Sequence, residues 1–238
     1  MNKYFALTTS GREATVTIYG DITSWPWLES DVSSYNLSQQ IAGLDVDTIH
    51  VRINSYGGEL AEGMAIYSAL RAHPATIKTY CDGFACSAAS LIFMAGAERI
   101  MSNVSLLFIH NAWTYAAGNA DDLRKEADDL ETMSTVAANA YRAASLGIDD
   151  AELAELLAAE TWLTPESALQ MGFATAIMSV QFSAAVSADA RKAAYAAMSD
   201  GIRHRVVAQT PTEGKPPDAE TQPEPPKADE SKKTFFNF

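Results

Sequence analysis

Ser87 lies in GFACSAAS (83–90), a stretch of small and apolar residues. A serine hydroxyl is a poor nucleophile until a base takes its proton. At a helix start the same side chain serves as an ordinary N-cap, and there the free N–H groups also favour developing negative charge. Two other stretches carry residue types that suit this chemistry. NSYGGE (54–59) holds Gly57 and Gly58, whose bare backbone can present N–H groups to a ligand or simply turn a strand into a helix. SLLFIHN (105–111) ends an apolar run at His110, and histidine takes and returns a proton near neutral pH. The other histidines are placed less well. His50 is mid-strand, His73 precedes Pro74, and His204 lies beyond the folded region. Taken singly, each stretch also has a structural reading: a cap, a turn, a strand-end histidine.

The surrounding elements alternate between strand and helix. ATVTIYG (14–20) has period-two alternation and reads as a strand. Residues 33–43 read as a helix, TIHVRIN (48–54) as a strand, and 59–73 as a helix stopped by Pro74. A strand at 75–81 leads to a turn starting at Gly83 and a short helix at 86–96. ERIMS and SLLFIH read as two strands. A long helix runs from Asn119 toward Ser145, with Asp121 and Asp122 in its first turn. Helices near 149–158 and 165–171 and a strand FATAIM complete the series. Such alternation predicts an α/β domain with a largely parallel sheet. Its functional loops gather at the carboxyl ends of the strands, where all three stretches fall.

The totals set limits. The chain has 238 residues and a formal net charge of -13, which disfavours nucleic-acid binding. No apolar run approaches the ~18 residues that cross a bilayer, and no secretory signal is evident. Cys81 and Cys86 form no zinc or disulfide pattern, and the scattered histidines support no metal site, so no metal and no cofactor are expected. Six of the nine prolines lie after Gln209, amid many charges, so residues 209–238 are expected to be a disordered tail. The terminal FFNF is either a neutral end or a docking tag. Residues 183–208 read as an alanine-rich helical linker or interaction arm, and 1–182 as the folded domain.

Together the three stretches resemble the Clp protease proteolytic subunit family, the ClpP-like serine peptidases. The family pattern is a strand with I-N-S-P-G-G, a helix with G-x-x-I-Y, a turn G-x-A-A-S opening a helix, and a strand ending I-H. This chain reads INSYGGELAEGMAIYSAL, TYCDGFACSAASLIFMAGAERI and SLLFIHNAW in that order, and the resemblance runs from about residue 14 to 178. It implies a ClpP/crotonase-like α/β fold, with flanking helices and a projecting long handle helix at 119–145. It implies Ser87 as nucleophile, His110 as general base, and the backbone N–H groups of Gly58 and Ala88 as an oxyanion hole. Tyr56 and Gly57 fall in the substrate-binding loop. The third catalytic position falls on Glu160, where the family has aspartate, with Asp149 and Asp150 as fallback candidates.

Further departures are Tyr56 for the family proline, Thr175 for an aspartate, and a slightly short stretch from serine to histidine. With the acidic, proline-rich tail, these resemble the phage branch of the family, the head maturation (prohead) proteases. That branch implies a capsid or scaffold protein as substrate and a location in the bacterial cytoplasm or a phage procapsid. The wider family implies a homo-oligomeric ring, a heptamer or double heptamer, and an unfoldase ATPase as a possible partner. No Walker motif is present in the chain itself. The alternatives are a housekeeping ClpP-type subunit, a crotonase-like acyl-CoA enzyme, and an inactive assembly protein.

Overall fold

The computed structural model describes residues 5–25, 32–144 and 147–179. The expected arm at 183–208 and tail at 209–238 lie outside the described residues, as does the domain end at 182. Strands β1 (Phe5–Ser10) and β2 (Glu13–Ile18) form an antiparallel hairpin. Helix α1 (Ser34–Ala42) precedes β3 (Thr48–Ser55), and α2 (Leu60–Ala72) precedes β4 (Thr76–Cys86). Then come α3 (Ala88–Phe93), β5 (Glu98–Ser102) and β6 (Leu106–Ile109). After α4 (Ala120–Arg142) the chain forms α5 (Asp150–Ala158), β7 (Thr161–Leu163), α6 (Pro165–Gln170) and β8 (Ala176–Met178). The described strands form one eight-stranded sheet in the order β1-β2-β3-β4-β5-β8, with β6 pairing with both β4 and β7. Every pairing is parallel except β1–β2 and β6–β7. The architecture is the mostly parallel α/β sheet with flanking helices that the sequence leads one to expect.

Alternation fixes the register. Val16 and Ile18 of β2 and Ile49, Val51 and Ile53 of β3 point inward and are fully buried. They share one core with Leu37, Ile66, Leu70 and the whole of α3. A fully buried isoleucine contributes about 2 kcal/mol. A one-residue slip would turn the entire row outward. On the opposite face Arg52 grips Asp82 with two hydrogen bonds of 2.8 and 2.5 Å. Tyr19 donates to the same carboxylate at 2.6 Å.

Strand β4 differs from the sequence reading in a way that matters. Strand β4 does not stop at Cys81, and Gly83 does not start a turn. The strand continues to Cys86 through a register shift: Ile53 pairs with Cys81, but Ser55 pairs with Ala85. Residues 82–84 are accommodated opposite Asn54, whose Oδ1 accepts from the Phe84 N–H at 3.1 Å. A Cβ at Gly83 would stand 2.5 Å from that oxygen, so the glycine serves close approach. Beyond the bulge β4 changes partner, from β5 (Lys78–Cys81) to β6 (Phe84–Cys86). A sequence pattern reads one partner per strand and misses the exchange. The short β7 and the hairpin strand β1 were likewise not predicted, because three residues and a polar FALTTS carry little periodicity.

α4 is a 23-residue helix. Asn119 and Asp122 close a capping box at its start. Its buried residues are Ala138, Ala140 and Tyr141, all in its last turns, so most of its length projects from the domain. The turn that leads into β8 is held by Arg99, only 7% exposed. Its guanidinium donates to the carbonyls of Phe173, Gly96, Ala144 and Gly172 at 2.8–3.1 Å. The Thr175 hydroxyl, at the departure from the family aspartate, accepts from the Arg99 N–H at 2.8 Å and donates to the Arg99 carbonyl at 3.1 Å. The Thr175 N–H also donates to the Arg99 carbonyl, at 2.7 Å, and the predicted strand FATAIM is reduced to Ala176–Met178.

Arg99→Met strips four carbonyls of their donor, and each buried unsatisfied group costs about 1–3 kcal/mol. Urea unfolding is expected to show a loss of at least about 3 kcal/mol. Arg99→Lys is expected to recover only part of it, because one ammonium does not reproduce the planar fork.

Candidate active site

Ser87 directly follows β4, in a backbone conformation few side chains adopt, with φ 54° and ψ -125°. Such a residue costs about 1–3 kcal/mol and persists only when its surroundings over-determine it. Here they do. The Ser87 N–H donates to the Phe108 carbonyl at 2.9 Å, one step past the Cys86–Phe108 pair of the β4–β6 ladder. The Ser87 carbonyl accepts from the Ser90 N–H at 2.8 Å and from the Ser90 hydroxyl at 2.6 Å. Ser90 Oγ in turn lies 2.6 Å from the hydroxyl of buried Tyr141, tying α3 to the anchored end of α4. The N-cap reading of Ser87 is corrected by its side chain, which makes no capping hydrogen bond. Its Oγ lies 2.8 Å from His110 Nε2 instead.

The two glycines of the loop after β3 meet this turn. A Cβ at Gly57 would fall 2.6 Å from the Cys86 carbonyl oxygen, 2.7 Å from Ser87 Cβ and 3.0 Å from the Ala88 nitrogen. No residue but glycine lets the loop lie there, and its φ of +99° adds a second reason. Gly58 is bridged to Ile22 through its neighbours: Ile22 N–H to Gly57 carbonyl at 2.9 Å, and Glu59 N–H to Ile22 carbonyl at 2.8 Å. In a parallel bridge of this kind the residue's own N–H points away from the partner strand. Among the described residues no acceptor takes the N–H of Gly58 or of Ala88. Gly63 of α2 supports the arrangement from behind, where a Cβ would stand 2.8 Å from that of Ala88.

His110 lies just beyond β6. Burial pushes its imidazole below the ordinary histidine range, against opposing contributions from the Asn111 backbone and the Glu160 charge. His110 Nε2 faces the Ser87 hydroxyl, and in the neutral ring that carries its proton on Nδ1 the Nε2 lone pair accepts from Oγ–H. Glu160 arrives by register. β7 pairs antiparallel with β6, Ile109 opposite Thr161, so the next position sets Glu160 against His110. Like Ser87, Glu160 has a positive φ, 51°. Among the described residues no hydrogen bond joins Glu160 to His110, and the carboxylate acts on the ring through its charge. The fallback residues are engaged elsewhere. Asp149 caps α5 through the Glu152 N–H, and Asp150 pairs with Arg142 at 2.9 Å.

Two pockets meet at this pair, sharing Gly58, Ser87, His110 and Trp113. One runs back toward α4 and is lined by Ala88, Leu91, Ala137, Ala138, Tyr141 and Leu157. The other opens along β6 and β7 and is lined by Tyr56, Cys86, Phe108, Glu160 and Trp162. Burial pushes the Cys86 thiol up to about 11, so it stays neutral.

A family model described as Clp protease matches residues 30–181, a span that contains every element from α1 to β8. The chain belongs to the Clp protease family. Similar relatives carry the name ATP-dependent Clp protease proteolytic subunit. One from Borreliella afzelii is 27% identical over 52% of this chain and 64% of its own length. One from Deinococcus radiodurans is 29% identical over 52% of this chain and 61% of its own. The chain thus spans a little under two thirds of each of these two relatives. Among solved structures, a ClpP1 mutant from Listeria monocytogenes superposes with a TM-score of 0.58 at 23% identity, over 71% of this chain and 92% of that one. That likeness establishes the ClpP-like fold.

The structure gathers Ser87, His110, Gly58, Ala88, Tyr56 and Glu160 around the two adjoining pockets, and Gly57 abuts the Ser87–Ala88 turn. Sequence reading missed its aromatic wall. Phe108 stacks on His110 with centroids 5.2 Å apart, and Trp162 lies 4.4 Å from Phe108. Phe84 and Tyr56 extend the row. The signal was the two-residue spacing of Phe108 and His110, which puts both on one face. Trp162 became visible only once β7 was paired.

Because the folded chain resists protonating His110, the unfolded chain binds that proton more readily, and stability falls as pH drops from about 6.5 through the lowered value. Imidazole NMR should place the His110 midpoint below about 6.5, and Glu160→Gln should lower it further. A midpoint at or above 6.5 contradicts the burial argument.

Proposed function

We propose that this chain is a serine endopeptidase that works through an acyl-enzyme. The observation that carries this reading is the 2.8 Å hydrogen bond between Ser87 Oγ and His110 Nε2, beside two N–H groups without acceptors. Ser87 Oγ attacks the scissile carbonyl while His110 Nε2 takes its proton. The oxyanion rests on the Gly58 and Ala88 N–H groups, a contribution of about 3 kcal/mol per donor in comparable sites. The C–N bond breaks as His110 returns the proton to the amine. Water then attacks the ester, His110 accepts its proton, and Ser87 is released with a carboxylate product. Glu160 stabilises the imidazolium through its charge. An extended substrate adds as a strand along the loop at Tyr56 and Gly57.

The substrate we propose is a phage capsid or scaffold protein cleaved during head maturation. Support comes from the Tyr56, Glu160 and Thr175 departures and from the acidic, proline-rich stretch after Gln209. The subunits form a ring stacked through α4, whose projecting length is free to pair with another copy. A second reading, a housekeeping subunit fed by an unfoldase, is favoured by the names of the relatives. Processing of a co-expressed capsid protein without an ATPase supports the first, and degradation only with an unfoldase supports the second.

Ser87→Ala is expected to abolish both peptide cleavage and fluorophosphonate labelling while circular dichroism and oligomer size are unchanged. Cleavage that survives in a clean preparation removes Ser87 from the mechanism. A wild-type chain that neither labels nor cleaves denatured protein is an inactive assembly protein.

A further inference from the structure

The open pocket beside Ser87 has a composition that an apolar binding site does not need. Tyr56, Phe84, Trp162 and Phe108 form a continuous row, with successive centroids 5.2, 6.0 and 4.4 Å apart. Two of the rings are turned to solvent, Tyr56 at 69% exposed and Trp162 at 51%. At the same mouth stands the Glu160 carboxylate, exposed and without an ion-pair partner among the described residues. The thiol of Cys86 below is neutral and adds no charge.

Which part of a substrate reaches this pocket follows from the donors. Ala88 lines the pocket toward α4 and not the open one. A carbonyl seated on the Gly58 and Ala88 N–H groups therefore sends its own side chain toward α4, among Leu91, Ala137, Ala138 and Leu157. The residue on the amine side of the scissile bond faces Tyr56, Trp162 and Glu160.

We propose that the open pocket selects a cationic side chain, lysine or arginine, immediately after the scissile bond. This rests on Ser87 and His110 being the catalytic pair. The aliphatic stem lies along the aromatic row, as long cationic side chains do on apolar surfaces. The cation faces the indole of Trp162, the ring type that attracts cations best, and ends near the Glu160 charge. An acidic residue at the same position meets a like charge and the negative faces of the rings.

The test uses quenched peptides with leucine before the scissile bond and lysine, arginine, alanine or glutamate after it, with the full-length chain. Lysine and arginine are expected to exceed alanine in kcat/KM by about tenfold, and glutamate to fall below alanine. Trp162→Leu keeps apolar bulk but loses the ring face, and is expected to bring the lysine-to-alanine ratio toward one. Fluorophosphonate labelling of Ser87 is run alongside, since it involves no residue on the amine side. Normal labelling with equal kcat/KM across the series overturns the cationic subsite alone. A Trp162→Leu chain that slows on all four peptides equally also overturns it. Absence of labelling in the wild type overturns the catalytic pair and the subsite together.

Discussion

The 2.9 Å hydrogen bond from the Ser87 N–H to the Phe108 carbonyl is where strand and site join. It extends the β4–β6 ladder one step past its last pair, and it occurs after β4 has exchanged β5 for β6. Without that exchange β6 would not lie beside Ser87, and His110 would have no reason to be near it. The bond also holds Ser87 at positive φ, from which its side chain leaves the helix start and reaches the imidazole. The bulge at 82–84, the Asn54 side chain and the small Gly83 are the means by which β4 makes the exchange.

Around that point the structure brings backbones close by leaving side chains out. Gly57 rests on the Ser87–Ala88 peptide, and Gly63 presses on Ala88 from the opposite side. Three backbone segments thus converge where one methyl would separate them, and the unclaimed N–H groups of Gly58 and Ala88 are a result of that convergence. The hydroxyls of Ser90 and Tyr141 then lock the turn to α4. Rigidity here is supplied by buried neutral groups, and the charges sit at the rim.

Much of this was legible in the sequence, for reasons that can be stated. The inward rows of β2 and β3 have strict alternation, and Pro74 stops α2, so the α/β alternation could be read directly. Ser87, His110 and the glycine pair were recognisable through their order along the chain. What stayed hidden depends on pairing. Neither the partner exchange of β4 nor the three-residue β7 leaves a periodic mark, so the aromatic row could not be seen, and Glu160 was reached only through the family resemblance and not through its pairing. Arg99 is buried on four carbonyls, three of them from distant parts of the chain, an arrangement with no local signature.

The antiparallel β6–β7 pair sets Glu160 opposite His110, and the β4–β6 pair sets His110 beside Ser87. The reacting groups are therefore each placed just past the last rung of a ladder. The stretch from serine to histidine, short in a linear comparison, still brings Ser87 Oγ to 2.8 Å from His110 Nε2. Insertion of a single residue within β6 or β7, by contrast, would rotate His110 or Glu160 to the other face. Length is therefore least free to change inside the two short strands that frame the site.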